Sequence, residues 1–280
     1  MPSFTRNLKN PSIIPGFHLT FFFTLFYLSL IVIIPILALI YRGFEVPLEE
    51  FWKNISSSRI LYSFWITFLC SFIAVVIDVF FGLIIAWVLV RYSFPFKKLL
   101  DAIIDLPFAL PTAVAGIALS AIYAPDGAIG RFFAEYGIKI SYTPLGIIVA
   151  LVFIGLPFIV RSLQPVLSDL DKEFEEASIS LGASRWQTFV RVIFPYLFPA
   201  LLTGFTMAFA RCLGEYGSII FIAGNVPFVS EIVPLIIITK LEQFDYNGAT
   251  VVALMMLTVS FCLLFLINSM QKKLYKKFKD

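Results

Sequence analysis

Six long apolar stretches dominate the chain, and short polar segments separate them. A hydrocarbon core ~30 Å thick is crossed by a helix of ~20 apolar residues, and each stretch reaches that length. The first stretch is longer than the ~7–15 apolar residues of a signal peptide and has no small-residue cleavage site, so we expect a retained helix. The pattern predicts six membrane-spanning helices at about 17–41, 61–90, 101–124, 145–164, 199–223 and 248–270.

The composition agrees with a membrane protein. The chain is 60% hydrophobic and only 14% charged, against ~25% charged residues in an ordinary soluble domain. These values exclude a disordered protein and a protein whose main partner is nucleic acid. The three cysteines lie far apart inside apolar runs, so they offer neither a disulfide framework nor metal-ligand spacing.

Positively charged side chains set the expected orientation. With the N-terminus in the cytoplasm, roughly two thirds of the 21 lysine and arginine residues fall on the cytoplasmic side, as the positive-inside rule requires. An even number of spans then places both termini in the cytoplasm. We predict a first helix with its outer loop at 1–60, a membrane-spanning domain at 61–270 and a basic tail at 271–280. The tail is expected to anchor the topology, with binding of anionic lipid as the alternative.

The segment between the fourth and fifth spans carries the clearest local pattern. Residues 168–181 read SDLDKEFEEASISL. Acidic residues crowd the start, where they complement the dipole of a helix N-terminus. Phe174, Ala177 and Leu181 form a short apolar stripe at helical spacing. The pattern predicts a short amphipathic helix on the cytoplasmic face.

A turn and a second helix are predicted to follow. Gly182 suits the left-handed residue that ends many helices, and Ser184 and Gln187 have the spacing of a capping box. We expect Pro195 and Pro199 to break or bend the second helix where the chain re-enters the membrane. Such a knob can fill a groove of another protein, or it can rest on lipid head groups. The residues alone leave both interpretations open, although the acidic surface disfavours the negative membrane face.

This segment resembles the EAA motif of bacterial ATP-binding-cassette (ABC) importer permeases. The motif is roughly E-A-A, three residues, G, nine residues and I-x-L-P, and the spacing matches throughout. Ser178, Val192 and Phe194 depart from it in residue type only. The resemblance implies an all-α type I ABC importer (MetI-like) permease fold with six transmembrane helices and a coupling helix that docks on a cytoplasmic ATPase. The coupling residues it implies are Glu175, Glu176, Ala177, Ser178, Gly182 and Ala183.

Three further segments resemble the sulfate/thiosulfate branch of that family, in particular its T-type permeases. They are LPFALPTAVAGIAL at 106–119, RCLGEYGSIIFIAGNVP at 211–227 and EIVPLIIITKLEQFDYNGA at 231–249. Molybdate permeases share most of these motifs and are the second candidate.

The resemblance also implies a set of partners and a location. They are a paralogous W-type permease, an ATPase dimer that holds ATP and Mg, and an extracytoplasmic sulfate-binding protein. Sulfate or thiosulfate is the implied substrate. The implied location is the bacterial plasma membrane, with the plastid inner envelope as an alternative, and no cofactor is expected in this chain.

Polar residues in the predicted fifth span form a stripe. Gly204, Ala208, Arg211, Glu215 and Ser218 recur at helical spacing, and Arg211 and Glu215 are four residues apart. One charge at mid-bilayer costs ~2.5–3.5 kcal/mol, so this stripe is expected to face other helices or water. Two interpretations stay open: a structural ion pair, or part of an anion pathway and its gate.

Further pathway candidates lie in the second and third spans. Asp78 is an intramembrane carboxylate, for which pairing inside the bundle is favoured over a role in transport. Pro107 and Pro111 remove two backbone donors and are expected to bend the third span, as in a helix that lines a pathway. Asp101 and Asp105 are predicted at the cytoplasmic start of that span.

The sequence offers no candidate residues for catalysis. No glycine is followed by lysine, as a P-loop requires, and His18 is the single histidine. Two other functions are alternatives to that of an importer subunit. One is a stand-alone secondary anion transporter with Asp78, Arg211 and Glu215 as a charge relay, and the other is an intramembrane enzyme.

Overall fold

The computed structural model describes residues 17–279, including the side chains of residue 17 and of residues 19–271. Within that range the chain is helical and contains no strand, as predicted. His18 and the basic side chains that follow Gln271 lie outside the described side chains. Five helical runs are long and apolar enough to cross a membrane: Leu19–Glu45, Ser58–Arg91, Pro144–Asp169, Arg185–Leu213 and Tyr246–Gln271.

Short helices and two π-helical turns complete the described chain. In order, the elements are α1 (Phe17–Leu28), a π turn (Ser29–Ile33), α2 (Ile34–Glu45), α3 (Leu48–Ile55), α4 (Ser58–Arg91), α5 (Lys97–Ile104), α6 (Leu106–Ala109), α7 (Thr112–Tyr123), α8 (Gly130–Glu135), α9 (Pro144–Asp169), α10 (Lys172–Ser180), α11 (Arg185–Thr188), a second π turn (Phe189–Ile193), α12 (Phe194–Leu213), α13 (Ile219–Ala223), α14 (Val233–Glu242) and α15 (Tyr246–Lys279).

The chain divides into two compact units between Leu48 and Glu49. In the first unit, α1, the first π turn and α2 form one continuous apolar helix. Its large apolar side chains are exposed along most of its length, which suits a helix solvated by lipid. The second unit holds all later elements.

Helices α4, α9 and α12 form the core of the second unit. Small residues allow their backbones to approach closely, which is typical of helix packing in membranes. A Cβ atom added to Gly82 would lie 2.7 Å from Cγ2 of Ile159, and one added to Gly204 would lie 3.1 Å from Cβ of Ser162. These three helices therefore provide the rigid frame on which the other elements are placed.

The third predicted span is broken into α5, α6 and α7. The breaks fall at Asp105 and at Leu110–Pro111. Leu110 takes extended dihedrals (φ −87°, ψ 136°), because a residue before proline is disfavoured in the helical region. Pro107 lies in the first turn of α6, where its missing N–H costs no hydrogen bond. The prolines thus interrupt this segment rather than only bend it.

The fifth predicted span begins and ends earlier than expected. It forms a continuous helical run over Arg185–Leu213, so the expectation that Pro195 and Pro199 break or bend this helix is wrong as regards a break. Pro195 lies inside the run, directly after the π turn Phe189–Ile193, whose irregular hydrogen bonding accommodates the missing N–H. In the preceding π turn, the backbone N–H of Phe194 donates a hydrogen bond to the carbonyl of Phe189.

Candidate functional site

The segment at 172–189, here called the hairpin, has the predicted helix–turn–helix form, and its second arm is α11 together with Phe189, the first residue of the π turn. Gly182 follows α10 with φ +84°, a left-handed conformation that favours glycine. The backbone N–H of Ser184 donates to Oε1 of Gln187 (2.8 Å), and the N–H of Gln187 donates to Oγ of Ser184 (3.3 Å). The capping box and the glycine turn are therefore confirmed.

The hairpin exposes large apolar side chains. Phe174 is 57% exposed, Leu181 is 89% exposed and Trp186 is 73% exposed. Phe174 and Leu181 belong to the predicted apolar stripe, and nothing in the described chain covers that stripe. A Cβ atom on Gly182 would likewise meet no atom within 4 Å. The hairpin therefore presents an apolar stripe that no other described residue covers.

The polar residues of the hairpin divide into bound and free groups. Nη2 of Arg91 donates to Oε1 of Glu175 at 2.5 Å. Oγ of Ser178 lies 3.0 Å from Oγ1 of Thr188, so the serine that departs from the motif joins the two arms. Glu176 is exposed, and within the described side chains no ion pair involves it. Ala177 is exposed beside it, and Ala183 is half-buried in the turn.

A second polar site, here called the polar turn, covers residues 211–218. Nη1 of Arg211 lies 2.7 Å from Oε2 of Glu215, whose side chain is 2% exposed. Oε1 of Glu215 accepts hydrogen bonds from the backbone N–H and from Oγ of Ser218, both at 2.9 Å. Both oxygens of this buried carboxylate therefore have partners, which removes most of the cost of burying it.

The predicted single helical stripe is wrong at its C-terminal end. Helix α12 ends at Leu213, so Glu215 and Ser218 lie in a turn and not on the face of a helix. Gly204 faces Ser162 and the backbone of Ile159 on α9, and Ala208 is fully buried. The N-terminal half of the stripe thus serves helix packing, while the ion pair of Arg211 with Glu215 is formed.

The polar turn lies in close contact with the start of α7. A Cβ atom on Gly116 would lie 2.4 Å from the carbonyl oxygen of Ser218, and one on Gly217 would lie 2.1 Å from Oγ1 of Thr112. Pro111 is the N-cap residue of α7. The break in the third span therefore brings Pro111 and α7 beside the polar turn, whereas Pro107 belongs to α6.

Asp78 lacks the predicted partner inside the bundle. It lies on α4, is fully buried, and neither carboxylate oxygen has a hydrogen-bond partner among the described residues. A Cβ atom on Gly155 would lie 2.2 Å from Oδ2 of Asp78 and 3.4 Å from Sγ of Cys212. The carboxyl group of Asp78 thus occupies the space that Gly155 of α9 leaves by having no side chain.

The ion pairs of Arg161 and Arg59 are among those that the sequence did not predict. Arg161 donates from Nε to Asp105 Oδ1 (2.8 Å) and from Nη1 to Asp101 Oδ1 (2.7 Å). The i, i+4 spacing of Asp101 and Asp105 is the signal that could have predicted a shared cation. Near the start of α4, Arg59 donates from Nε to Glu231 Oε2 at 2.7 Å.

A polar cavity of about 320 Å³ lies beside Arg59, at the opposite end of α4 from Arg91. Nζ of Lys240, on its wall, donates to Oδ2 of Asp245 at 2.6 Å. This hydrogen bond, helped by one from the backbone N–H of Gly248, lowers the pKa of Asp245. The carboxylate therefore stays ionised and paired at neutral pH.

Comparison with known proteins gives a consistent family match. The model of the family described as "Binding-protein-dependent transport system inner membrane component" matches residues 78–280. A probable sulfate transport system permease protein of Chlorokybus atmophyticus is 48% identical over 256 residues, covering 91% of this chain and 90% of that protein. The sulfate transport system permease protein of Escherichia coli K12 is 43% identical over 261 residues, covering 93% and 94%.

Solved structures agree on the fold. A chain of a bacterial ABC transporter involved in alginate import superposes with a TM-score of 0.74 at 15% identity, covering 91% of this chain and 94% of that chain. A chain of the MetNI methionine ABC transporter superposes with a TM-score of 0.56 at 19% identity, covering 78% and 95%. The expected importer permease fold is confirmed.

Proposed function

This chain belongs to the family of binding-protein-dependent transport system inner membrane components, and we propose that it is the T-type permease subunit of an ATP-driven sulfate importer. The family consists of multi-pass membrane components of transport systems rather than enzymes. Sulfate is the proposed substrate, with thiosulfate as a related oxyanion, because relatives at 43% and 48% identity are named sulfate permeases. Molybdate is not favoured.

The exposed hairpin is the observation that carries this proposal. An apolar stripe with Leu181 89% exposed is costly in water, at about 25 cal/mol for each Å² of apolar surface. A groove on a partner would cover that stripe, and Glu176 beside it remains available for a polar contact. We propose that this groove lies on a partner ATPase dimer that binds ATP and Mg. No cofactor is assigned to this chain.

The orientation and the remaining partners complete the proposal. The hairpin and both termini face the cytoplasm of a bacterial plasma membrane, as the distribution of lysine and arginine favours. The plastid inner envelope suits the same chain. On the outer side an extracytoplasmic sulfate-binding protein delivers the anion, and a W-type paralogue supplies the second half of the pathway. Alternating access then moves the anion past the polar turn.

The gate is proposed at Arg211 and Glu215. Glu215 holds Arg211 through an ion pair of 2.7 Å, so the guanidinium is not free to bind sulfate tightly. A weak site is an advantage in a pathway, because the ion must leave as well as enter. Asp78 has no hydrogen-bond partner among the described residues and is not assigned to the gate.

A pull-down combined with an uptake assay tests the proposal. An affinity-tagged chain is expressed in a strain that lacks its own sulfate permease, and the co-purifying proteins are assayed for ATP hydrolysis. We expect an ATPase in the eluate and uptake of radiolabelled sulfate, with little uptake of molybdate. Transport driven by an ion gradient in liposomes that contain this chain alone would contradict the proposal and favour a stand-alone anion transporter.

A further inference from the structure

We propose that Arg91 and Trp87, on the last turn of α4, form a clamp that fastens both arms of the hairpin to this membrane helix. The clamp passes movement of the hairpin on to α4 and does not itself contact the ATPase. This inference rests on the proposed function, since it concerns how movement driven by ATP reaches the membrane.

The first arm is held by an ion pair. Nη2 of Arg91 lies 2.5 Å from Oε1 of Glu175, which belongs to α10. The two side chains are only 13% and 26% exposed. Ion pairs shielded from water in this way are screened less by salt than surface pairs, and removing one partner leaves the other charge unpaired, which is costly. Glu175 is therefore directed inward, although the motif comparison placed it among the residues that serve the partner.

The second arm is held by aromatic packing. The ring of Trp87 meets the ring of Phe189 edge-to-face, with centroids 6.0 Å apart. Phe189 begins the π turn that follows α11, and it stacks on Trp186 at 5.8 Å. Such aromatic pairs contribute beyond their buried area and fix the relative orientation of the elements that carry them.

Arg91 and Trp87 also hold each other. The guanidinium carbon of Arg91 lies 5.5 Å from the centre of the Trp87 ring, in cation–π geometry. The two residues are four apart on α4, so they share one face of the helix. One face at the end of α4 thus touches α10 through Glu175 and the second arm through Phe189.

The hairpin is itself braced, so the two attachments act on one body. The hydroxyl contact of Ser178 with Thr188 (3.0 Å) joins α10 to α11, and Thr188 is buried. Further along α4, this helix packs so closely on α9 that a Cβ atom on Gly82 would collide with Ile159. A displacement of the hairpin therefore reaches the core through α4 without a flexible link.

Neighbouring glutamates provide a matched pair of variants. Glu175 bonds to Arg91 within the chain, whereas Glu176 is exposed next to it. Glu175→Gln is expected to weaken the clamp and leave docking intact. Glu176→Lys is expected to weaken docking and leave the clamp intact.

The test uses the whole importer, purified with its ATPase and reconstituted in liposomes. Three quantities are measured for each variant: ATPase bound per permease, ATP hydrolysed, and sulfate transported. For Arg91→Ala we expect unchanged ATPase binding, continued ATP hydrolysis, and a loss of sulfate transported per ATP, because hydrolysis is no longer linked to movement of α4. For Glu176→Lys we expect reduced ATPase binding instead.

Rescue separates a clamp from general instability. The double variant Arg91→Glu with Glu175→Arg restores the ion pair in reverse and is expected to recover part of the lost transport per ATP. Arg91→Lys keeps the charge but lacks the planar group, so an intermediate loss is expected. If Arg91→Ala does not assemble, Trp87→Leu tests the second attachment in the same way.

Unchanged transport per ATP in both Arg91→Ala and Trp87→Leu would overturn the clamp while the importer function stands. A wild-type chain that binds no ATPase would instead overturn the proposed function. The two failures are therefore distinguishable in one set of measurements.

Discussion

The hairpin and the polar turn are joined by one continuous helical run, yet their side chains are arranged in opposite ways. The hairpin exposes apolar groups such as Leu181 and keeps Thr188 inside. The polar turn buries a carboxylate, that of Glu215, and supplies partners to both of its oxygens. The hairpin therefore leaves apolar side chains uncovered by the described chain, whereas the polar turn finds the partners of its buried carboxylate within that chain.

This difference separates two kinds of mutational effect. A change in the polar turn alters contacts that this chain makes with itself, so stability is expected to fall. A change on the exposed face of the hairpin alters contacts that only a complex makes, so assembly is expected to fail at normal stability. The same chain can be tested for both.

The largest effect is expected at the contact of the polar turn with α7. A Cβ atom in Gly116→Ala would lie 2.4 Å from the carbonyl oxygen of Ser218, so the backbones must separate. Because the obstacle is backbone and not a flexible side chain, we expect a loss above the ~1–3 kcal/mol that overpacking typically costs. Thermal unfolding in detergent measures the loss. Gly214→Ala is the control, because its Cβ would meet nothing within 4 Å and its φ is −93°; equal destabilisation by both changes would contradict the described packing.

Removal of the buried carboxylate is expected to come next. Glu215→Leu leaves Arg211 without its partner, and breaking a buried pair costs about 3–5 kcal/mol. We expect a loss of no more than about 3 kcal/mol, because the range applies to a buried charge left unpaired, whereas the side chain of Arg211 is 35% exposed. The double variant with Arg211→Leu should lose less than the sum of the single changes. Additive losses measured by chemical unfolding would show that the pair does not interact.

A change at the exposed apolar stripe should affect assembly alone. Leu181→Asp removes an apolar contact that a partner groove would bury, and hot-spot residues of this kind contribute about 2 kcal/mol or more to binding. Unfolding of the isolated chain should change by no more than about 0.5 kcal/mol, as for most surface substitutions. Co-purification of the ATPase measures the first effect. Intact co-purification would place the docking face elsewhere.

The smallest effect is expected inside the hairpin. Ser178→Ala removes the hydroxyl contact with Thr188, and a typical hydrogen bond contributes about 0.5–1.5 kcal/mol. Hydrogen exchange of the hairpin amides is expected to rise modestly. Ser180→Ala, at an exposed position of the same helix, should leave exchange unchanged, and a rise of equal size there would remove the role assigned to Ser178.

The hairpin could be predicted because its signals are local. Gly182 and the capping box of Ser184 with Gln187 depend on residues within a few positions of one another, and backbone hydrogen bonds at helix ends are decided at that range. The apolar spans were predictable for a similar reason, because their length and hydropathy alone match the bilayer. Five of the six predicted spans appear as long helices.

Contacts between distant segments could not be predicted. Arg91 and Glu175 are 84 residues apart, and their meeting depends on how α4 and the hairpin are rotated. The prediction that Asp78 has a partner failed for the same reason. Hydrophobic periodicity indicates which face of a helix a residue lies on, but not which residues of another helix it meets. Glu215 was placed on a helix because nothing in the local hydropathy marks the end of α12 at Leu213.

The two π turns, at Ser29–Ile33 and at Phe189–Ile193, each stand directly before a proline-containing α-helix. A π turn holds one residue more than the α-helical turn it replaces, so it takes up the extra residue within one turn, whereas one residue more in a regular α-helix rotates everything beyond it by ~100°. Deleting a single residue from Phe189–Ile193 would therefore return this turn to α-helical geometry and leave the hairpin at nearly the same angle about the axis of α12. The same deletion within α12 would instead rotate the hairpin by about a quarter of a circle, which makes the π turn the place where this helix can lose an amino acid without redirecting the apolar stripe.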